Sequence, residues 1–148
     1  MKKLKHKALL MLFMIIGSIA ISSCDDNDAD RIVNRLVYSE WEVELGRVAE
    51  NSEKLISVFQ FNYDGSGVEK CYYLDGEPEF EYVFSWVYVR DYRSDYIALT
   101  FRHNREFLDQ IYFTSNTMRA IHYLNEQDFW DGHNGWDVIF DEYRYNRK

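Results

Sequence analysis

Residues 79–90 read Glu79-Phe80-Glu81-Tyr82-Val83-Phe84-Ser85-Trp86-Val87-Tyr88-Val89-Arg90. A period of two puts Phe80, Tyr82, Phe84, Trp86 and Tyr88 on one face, and Glu81, Val83, Ser85 and Val87 on the other. That alternation is the pattern of a β-strand with one buried face. Before it, Asp75-Gly76-Glu77-Pro78 is a turn signal, and after it residues 91–95 make the next turn.

The same period extends in both directions. Upstream, Glu40-Trp41-Glu42-Val43-Glu44-Leu45 alternates acid and apolar, and residues 55–63 place Phe59, Phe61 and Tyr63 on one face. Asp64-Gly65-Ser66-Gly67 turns into a strand at 68–74. Downstream, Ile97, Leu99 and Phe101 define a strand. His103-Asn104-Arg105 turns into 106–113, where Phe107, Ile111 and Phe113 are read as sharing a face. Ser115-Asn116 turns into 117–124. Residues 125–136 read as a longer loop, and a last strand covers 137–145 with Val138 and Phe140. Ahead of all of these, Ile32, Val33, Leu36 and Val37 have helical spacing and predict a short helix over 29–37, capped by Asp28 or Asp30.

Eight strands joined mainly by tight turns, with no helical crossover, predict antiparallel neighbours. The resulting fold class is all-β: an eight-stranded antiparallel up-and-down barrel with a short N-terminal helix. Spacing alone does not decide closure, so a two-sheet β-sandwich is the alternative.

The first 23 residues stand apart. Residues 2–7 are basic, residues 8–21 form an uncharged apolar run, and Ser22-Ser23-Cys24 follows. This is the order of a secretory signal, and 14 helical residues rise about 21 Å, short of the roughly 30 Å of a hydrocarbon core. Ile21-Ser22-Ser23-Cys24 resembles the lipobox of bacterial lipoproteins, with Ile21 and Ser23 where that family most often has Leu and Gly or Ala. The resemblance implies cleavage before Cys24 and acylation of its thiol. It divides the chain into a signal peptide (1–23), an acidic tether with a lipidated Cys24 (24–30) and a barrel domain (31–148). The acidic run Asp25-Asp26-Asn27-Asp28 resembles the export signal of surface lipoproteins in one group of Gram-negative bacteria, which implies an outer-membrane, surface-exposed location. The alternating acids are not a calcium loop, because Arg31 and Val37 occupy the positions that need Gly and Glu.

Of 148 residues, 25 are Asp or Glu and 17 Lys or Arg, and 47% are hydrophobic. Removing the four lysines of the signal takes the formal charge from −8 to −12. So acidic a domain repels phosphate, and nucleic acid is excluded as a partner. With Cys24 modified, Cys71 is the one remaining cysteine, which excludes an internal disulfide and a C-x-x-C metal site.

The barrel also resembles the lipocalin-like lipoproteins. The residues that carry this are Leu36-Val37, Trp41 in the first strand, and Phe61-Asn62-Tyr63-Asp64-Gly65-Ser66-Gly67 at the first hairpin. Glu40 stands where lipocalins have Gly before the Trp. The resemblance implies that Trp41 closes the barrel floor behind the helix. It also implies a small apolar or aromatic ligand inside, lined by Trp41, Phe61, Phe84, Trp86, Phe101 and Phe113. So many rings would equally fill a small barrel.

A second candidate site is the segment 128–136, with Trp130, His133, Asn134 and Trp136. Rings and short polar side chains there could hold a protein or a glycan at the cell surface. The competing reading makes the rings of this segment a plug for one barrel end. No Gly-x-Ser-x-Gly turn, phosphate-cradling loop or close histidine pair occurs. His103, His122 and His133 read as turn or surface groups and Cys71 as strand packing. The sequence therefore predicts a non-enzymatic protein without cofactor or metal.

Overall fold

The computed structural model describes residues 26–143; Cys24 and the signal segment lie outside them. The chain divides into two compact units, residues 1–32 and 33–148. Helix α1 (Asp26–Val37) opens the described part. It starts inside the stretch read as an acidic tether, so Asp28 and Asp30 are helical residues and not caps. Asp28 pairs with Arg31 one turn on, at 4.0 Å.

The strands are β1 (Glu40–Val43), β2 (Ile56–Phe61), β3 (Ser66–Tyr72), β4 (Pro78–Arg90), β5 (Asp95–Thr100), β6 (Arg105–Phe113), β7 (Thr117–Tyr123) and β8 (Trp136–Glu142). They form a closed barrel in sequence order. Each strand pairs antiparallel with its neighbour, and β8 returns to β1 through Trp41 opposite Glu142 and Glu42 opposite Asp141. The fold is thus the all-β up-and-down barrel, and closure removes the sandwich alternative. The arrangement is consistent with a lipocalin-like fold.

One end of the interior is apolar. Trp41, Phe59, Phe61, Phe84, Met118 and Phe140 are buried there. Trp41 Nε1 donates to the Leu36 carbonyl at 3.2 Å, so the end of α1 and the first strand together form the floor. Gly67 sits opposite Phe61 on β2 and Phe84 on β4. A Cβ on Gly67 would overlap the Phe84 ring, so Gly is required to let that ring lie across β3. At the other end, the segment between β1 and β2 folds back through a bridge from Val48 to Lys54. Its Ala49 and Leu55 pack on Cys71, with Tyr73 and Phe80 alongside.

β4 bends round the barrel. Its first half pairs with β3 through residues 78–85 and its second half with β5 through residues 85–90. Ser85 is the corner, and just before it Glu81, Tyr82 and Val83 border a cleft.

β6 departs from the expected register. Asp109 pairs with Ile121 but Tyr112 pairs with Arg119, leaving one extra residue on β6. Gln110 takes up the bulge at φ 52°. A one-residue insertion reverses which side chains face inward. Phe113 therefore points in, against Trp41 at 5.6 Å. Phe107 points out, where it is buried beneath a second helix. The expectation that Phe107, Ile111 and Phe113 share a face does not hold.

That second helix, α2 (Glu126–Asp131), lies in the stretch read as loop. Asn125 caps it by accepting from the Asp128 amide, and Gly132 ends it at φ 67°. Phe129 stacks on Phe107, with centroids 4.4 Å apart and planes 4° apart. Tyr96, Ala98, Phe107 and Tyr123 form a small core on the outer wall under this helix. Phe129 and Trp130 thus lie on the wall of the barrel and do not plug its end.

Candidate functional site

The six residues assigned to an interior ligand come together, but mostly on one another. Phe61 lies 5.6 Å from Phe84 and 5.4 Å from Trp86, and Phe84 lies 5.3 Å from Phe101. Phe59 adds contacts to Phe84 at 5.7 Å and Phe140 at 5.9 Å. Rings at such separations are in direct contact. Trp86 is further tied down, since its Nε1 donates to the carbonyls of Asn62 (3.1 Å) and Ser66 (3.0 Å). Trp41, Phe61 and Phe84 are buried. Of the six, Phe101 borders an open space.

That space is the cleft between β4 and the β5–β6 hairpin, about 370 Å³. Tyr82 and Val83 border one side, and Phe101, Arg102, His103 and Asn104 the other. Its floor is polar. Arg47 reaches in from the β1–β2 segment and lies 5.9 Å from the Phe101 ring centroid. It donates to Glu69 from Nε at 3.0 Å, and to Glu106 from its terminal nitrogen at 2.9 Å. Ser57 donates to Glu69 at 2.6 Å and Asn104 to Glu106 at 2.8 Å. His122 Nε2 lies 2.8 Å from Glu106. The side chains of Glu69, Glu106 and His122 are wholly buried.

The electrostatics follow from this geometry. Burial opposes the charge on Arg47, but the hydrogen bonds and the attraction of Glu69 and Glu106 outweigh it, so its pKa is raised. Burial likewise pushes Glu106 upward, yet the His122 hydrogen bond and Arg47 bring it below its ordinary value. The Cys71 thiol is pushed up to about 12 by burial and by Glu69 nearby. It is a buried thiol at neutral pH, packed against Ala49 and Leu55.

Glu69, Glu106 and Arg47 escaped the sequence reading. On β3, Gly67, Glu69 and Cys71 alternate with Val68, Lys70 and Tyr72. Hydrophobicity does not say which set is inside, and the buried set is Gly67, Glu69 and Cys71. His122 is a correction: it is a fully buried interior residue, not a surface group. Its Nδ1 has no hydrogen-bond partner among the described residues, and the Trp136 ring stands edge-on to it at 4.7 Å. The one legible signal was parity with Ala120, two residues before it.

The four residues singled out in 128–136 are dispersed. Trp136 lies against His122, inside. Asn134 ties its Nδ2 to Asp128 at 2.9 Å, and His133 is exposed. Trp130 is 45% exposed and borders a groove of about 570 Å³ on the outer wall, beside Tyr96, Tyr123 and Phe129. Among the described residues no group of three metal-ligating side chains converges.

Compared with protein-family models, curated proteins and solved structures, the chain matches none of them.

Proposed function

We propose that this chain is a lipid-anchored protein of the bacterial cell envelope, non-enzymatic, whose barrel is a solid platform that recognises its ligand on the outside. The packing of the apolar half carries this reading. Phe59, Phe61, Phe84 and Phe140 contact one another where an interior ligand would lie. The other half supports it too, because Glu69 and Glu106 are already bonded to Arg47. The lipobox-like Ile21-Ser22-Ser23-Cys24 supports the anchor, and the acidic run after it supports a surface-exposed, outer-membrane location. Acyl chains on Cys24 would hold such a protein stably to the membrane.

A second reading is a small aromatic ligand in the β4 cleft. Phe101 and Tyr82 on its walls favour it.

Two measurements test these readings. Cys24→Ala should move the protein from the membrane fraction to the soluble one; retention in the membrane would remove the lipid anchor. Titration of the purified protein with N-phenyl-1-naphthylamine should give no saturable fluorescence gain. A saturable gain abolished by Phe101→Ala would replace the solid platform with the cleft reading.

A further inference from the structure

Trp130 is the exposed member of a ring cluster. It contacts Phe129 at 4.8 Å and Tyr96 at 6.2 Å, yet remains 45% exposed. Its Nε1 donates to Glu126 one turn back at 3.3 Å, and the helix carrying it is capped at both ends. The ring is therefore held in place before anything binds, which lowers the entropic cost of using it.

The groove beside it has two kinds of surface. Tyr96, Tyr123 and Ile121 supply an apolar floor, and Asp109 and Gln110 come from the β6 bulge. Asp91 and Asp131 add carboxylates, against a single cation, Arg93. The Gln110 backbone N–H and the Ser94 hydroxyl both donate to Asp109 Oδ1, while the Gln110 side-chain amide and the Asp131 carboxylate have no hydrogen-bond partner among the described residues. A bulge that re-aims side chains next to a binding surface is a common device.

From this juxtaposition we infer that the groove beside α2 binds an uncharged oligosaccharide. The inference rests on the reading of the barrel as a platform that recognises ligands outside. A pyranose presents C–H groups on its faces and hydroxyls round its edge. The faces stack on a fixed indole while the hydroxyls donate to carboxylates and pair with an amide. A wholly apolar ligand would leave the carboxylates desolvated and unpaired. Three Asp against one Arg repel sialic acid, uronic acid and sulfated sugars. At about 570 Å³ the groove lies within the span of small-ligand sites.

The test uses the purified full mature chain on an array of neutral hexose and N-acetylhexosamine oligosaccharides, with sialylated and sulfated counterparts. Saturable binding to neutral members and none to the acidic ones is expected. Trp130→Ala should weaken it at least tenfold with the barrel still folded by far-ultraviolet circular dichroism, and Trp130→Phe should retain part of it. No neutral binding, equal binding of acidic glycans, or binding indifferent to Trp130→Ala would overturn the inference. The naphthylamine titration separates the two readings. A chain that binds no glycan and takes up no probe loses this inference but keeps the solid platform. A chain whose saturable probe uptake is abolished by Phe101→Ala loses the platform itself.

Discussion

Arg47 is the cation between two carboxylates that water does not reach. Its bonds to Glu69 and Glu106 tie the β1–β2 segment to β3 and β6 at once. Removing one partner of a buried pair leaves an uncompensated charge and typically costs about 3–5 kcal/mol. Arg47→Ala is therefore expected to lower the urea midpoint at pH 7 by a loss of about that size. The deficit should shrink as pH falls and Glu106 protonates. Glu106 has its own pH signature. Its folded pKa lies below the ordinary 4.5, so the folded state holds this proton less tightly than the unfolded chain. Its contribution is complete above the unfolded value and fades as pH drops from about 4.5 through the lower folded value. Acid unfolding of Glu106→Gln, followed by circular dichroism, should be shallower over that window, from a lower starting stability. An unchanged acid limb would show that Glu106 does not contribute in this way. None of this was legible residue by residue. Glu40, Glu42 and Glu44 alternate with apolar side chains, and the wall of the barrel leaves Glu44 exposed. Glu69 alternates with a valine and a lysine, so its burial depends on partners far along the chain, Arg47 and Ser57.

The elements show why β6 and α2 were misread. A run of apolar residues at even spacing predicts one face only while the period stays at two. Gln110 breaks the period with a left-handed backbone, a conformation that costs a non-Gly residue of order 1 kcal/mol or more. Gln110→Val should cost about 1–3 kcal/mol because a β-branched residue fits that region poorly, whereas Gln110→Gly should be neutral or stabilising. Thermal melts of the two variants check this, and equal midpoints would argue that the bulge relocates. The strand turns over at this position, which sends Phe107 outward and makes a covering helix necessary. The cover was partly visible in the sequence. Asn125 stands three residues before Asp128, and Gly132 stops the helix. With only six residues between the caps, the helical spacing was too short to stand out.

The whole barrel depends on a narrow seam. β1 has four residues and meets β8 at two register pairs, supported by the Tyr143 amide donating to Glu40 at 2.8 Å. β8 also carries Phe140 into the ring cluster. Deleting residues 136–148 should therefore open the barrel and expose the edges of β1 and β7. Near-ultraviolet circular dichroism should lose its aromatic signal and size-exclusion chromatography should show aggregation. A monomer with an intact aromatic signal would mean that seven strands suffice. What the sequence determined by itself was local: strand positions, the hairpin turns and the antiparallel order. Each depends on residues within a few positions of one another, where period and turn chemistry operate. Of the five rings on one face of β4, by contrast, only Phe84 is buried and Tyr82 is exposed. Tertiary structure alone decided closure into a barrel, the burial of Glu69, Glu106 and His122, and the turn of Phe107 to the outer wall. These depend on which distant groups meet, since a carboxylate enters the interior when a guanidinium from another segment is there to hold it.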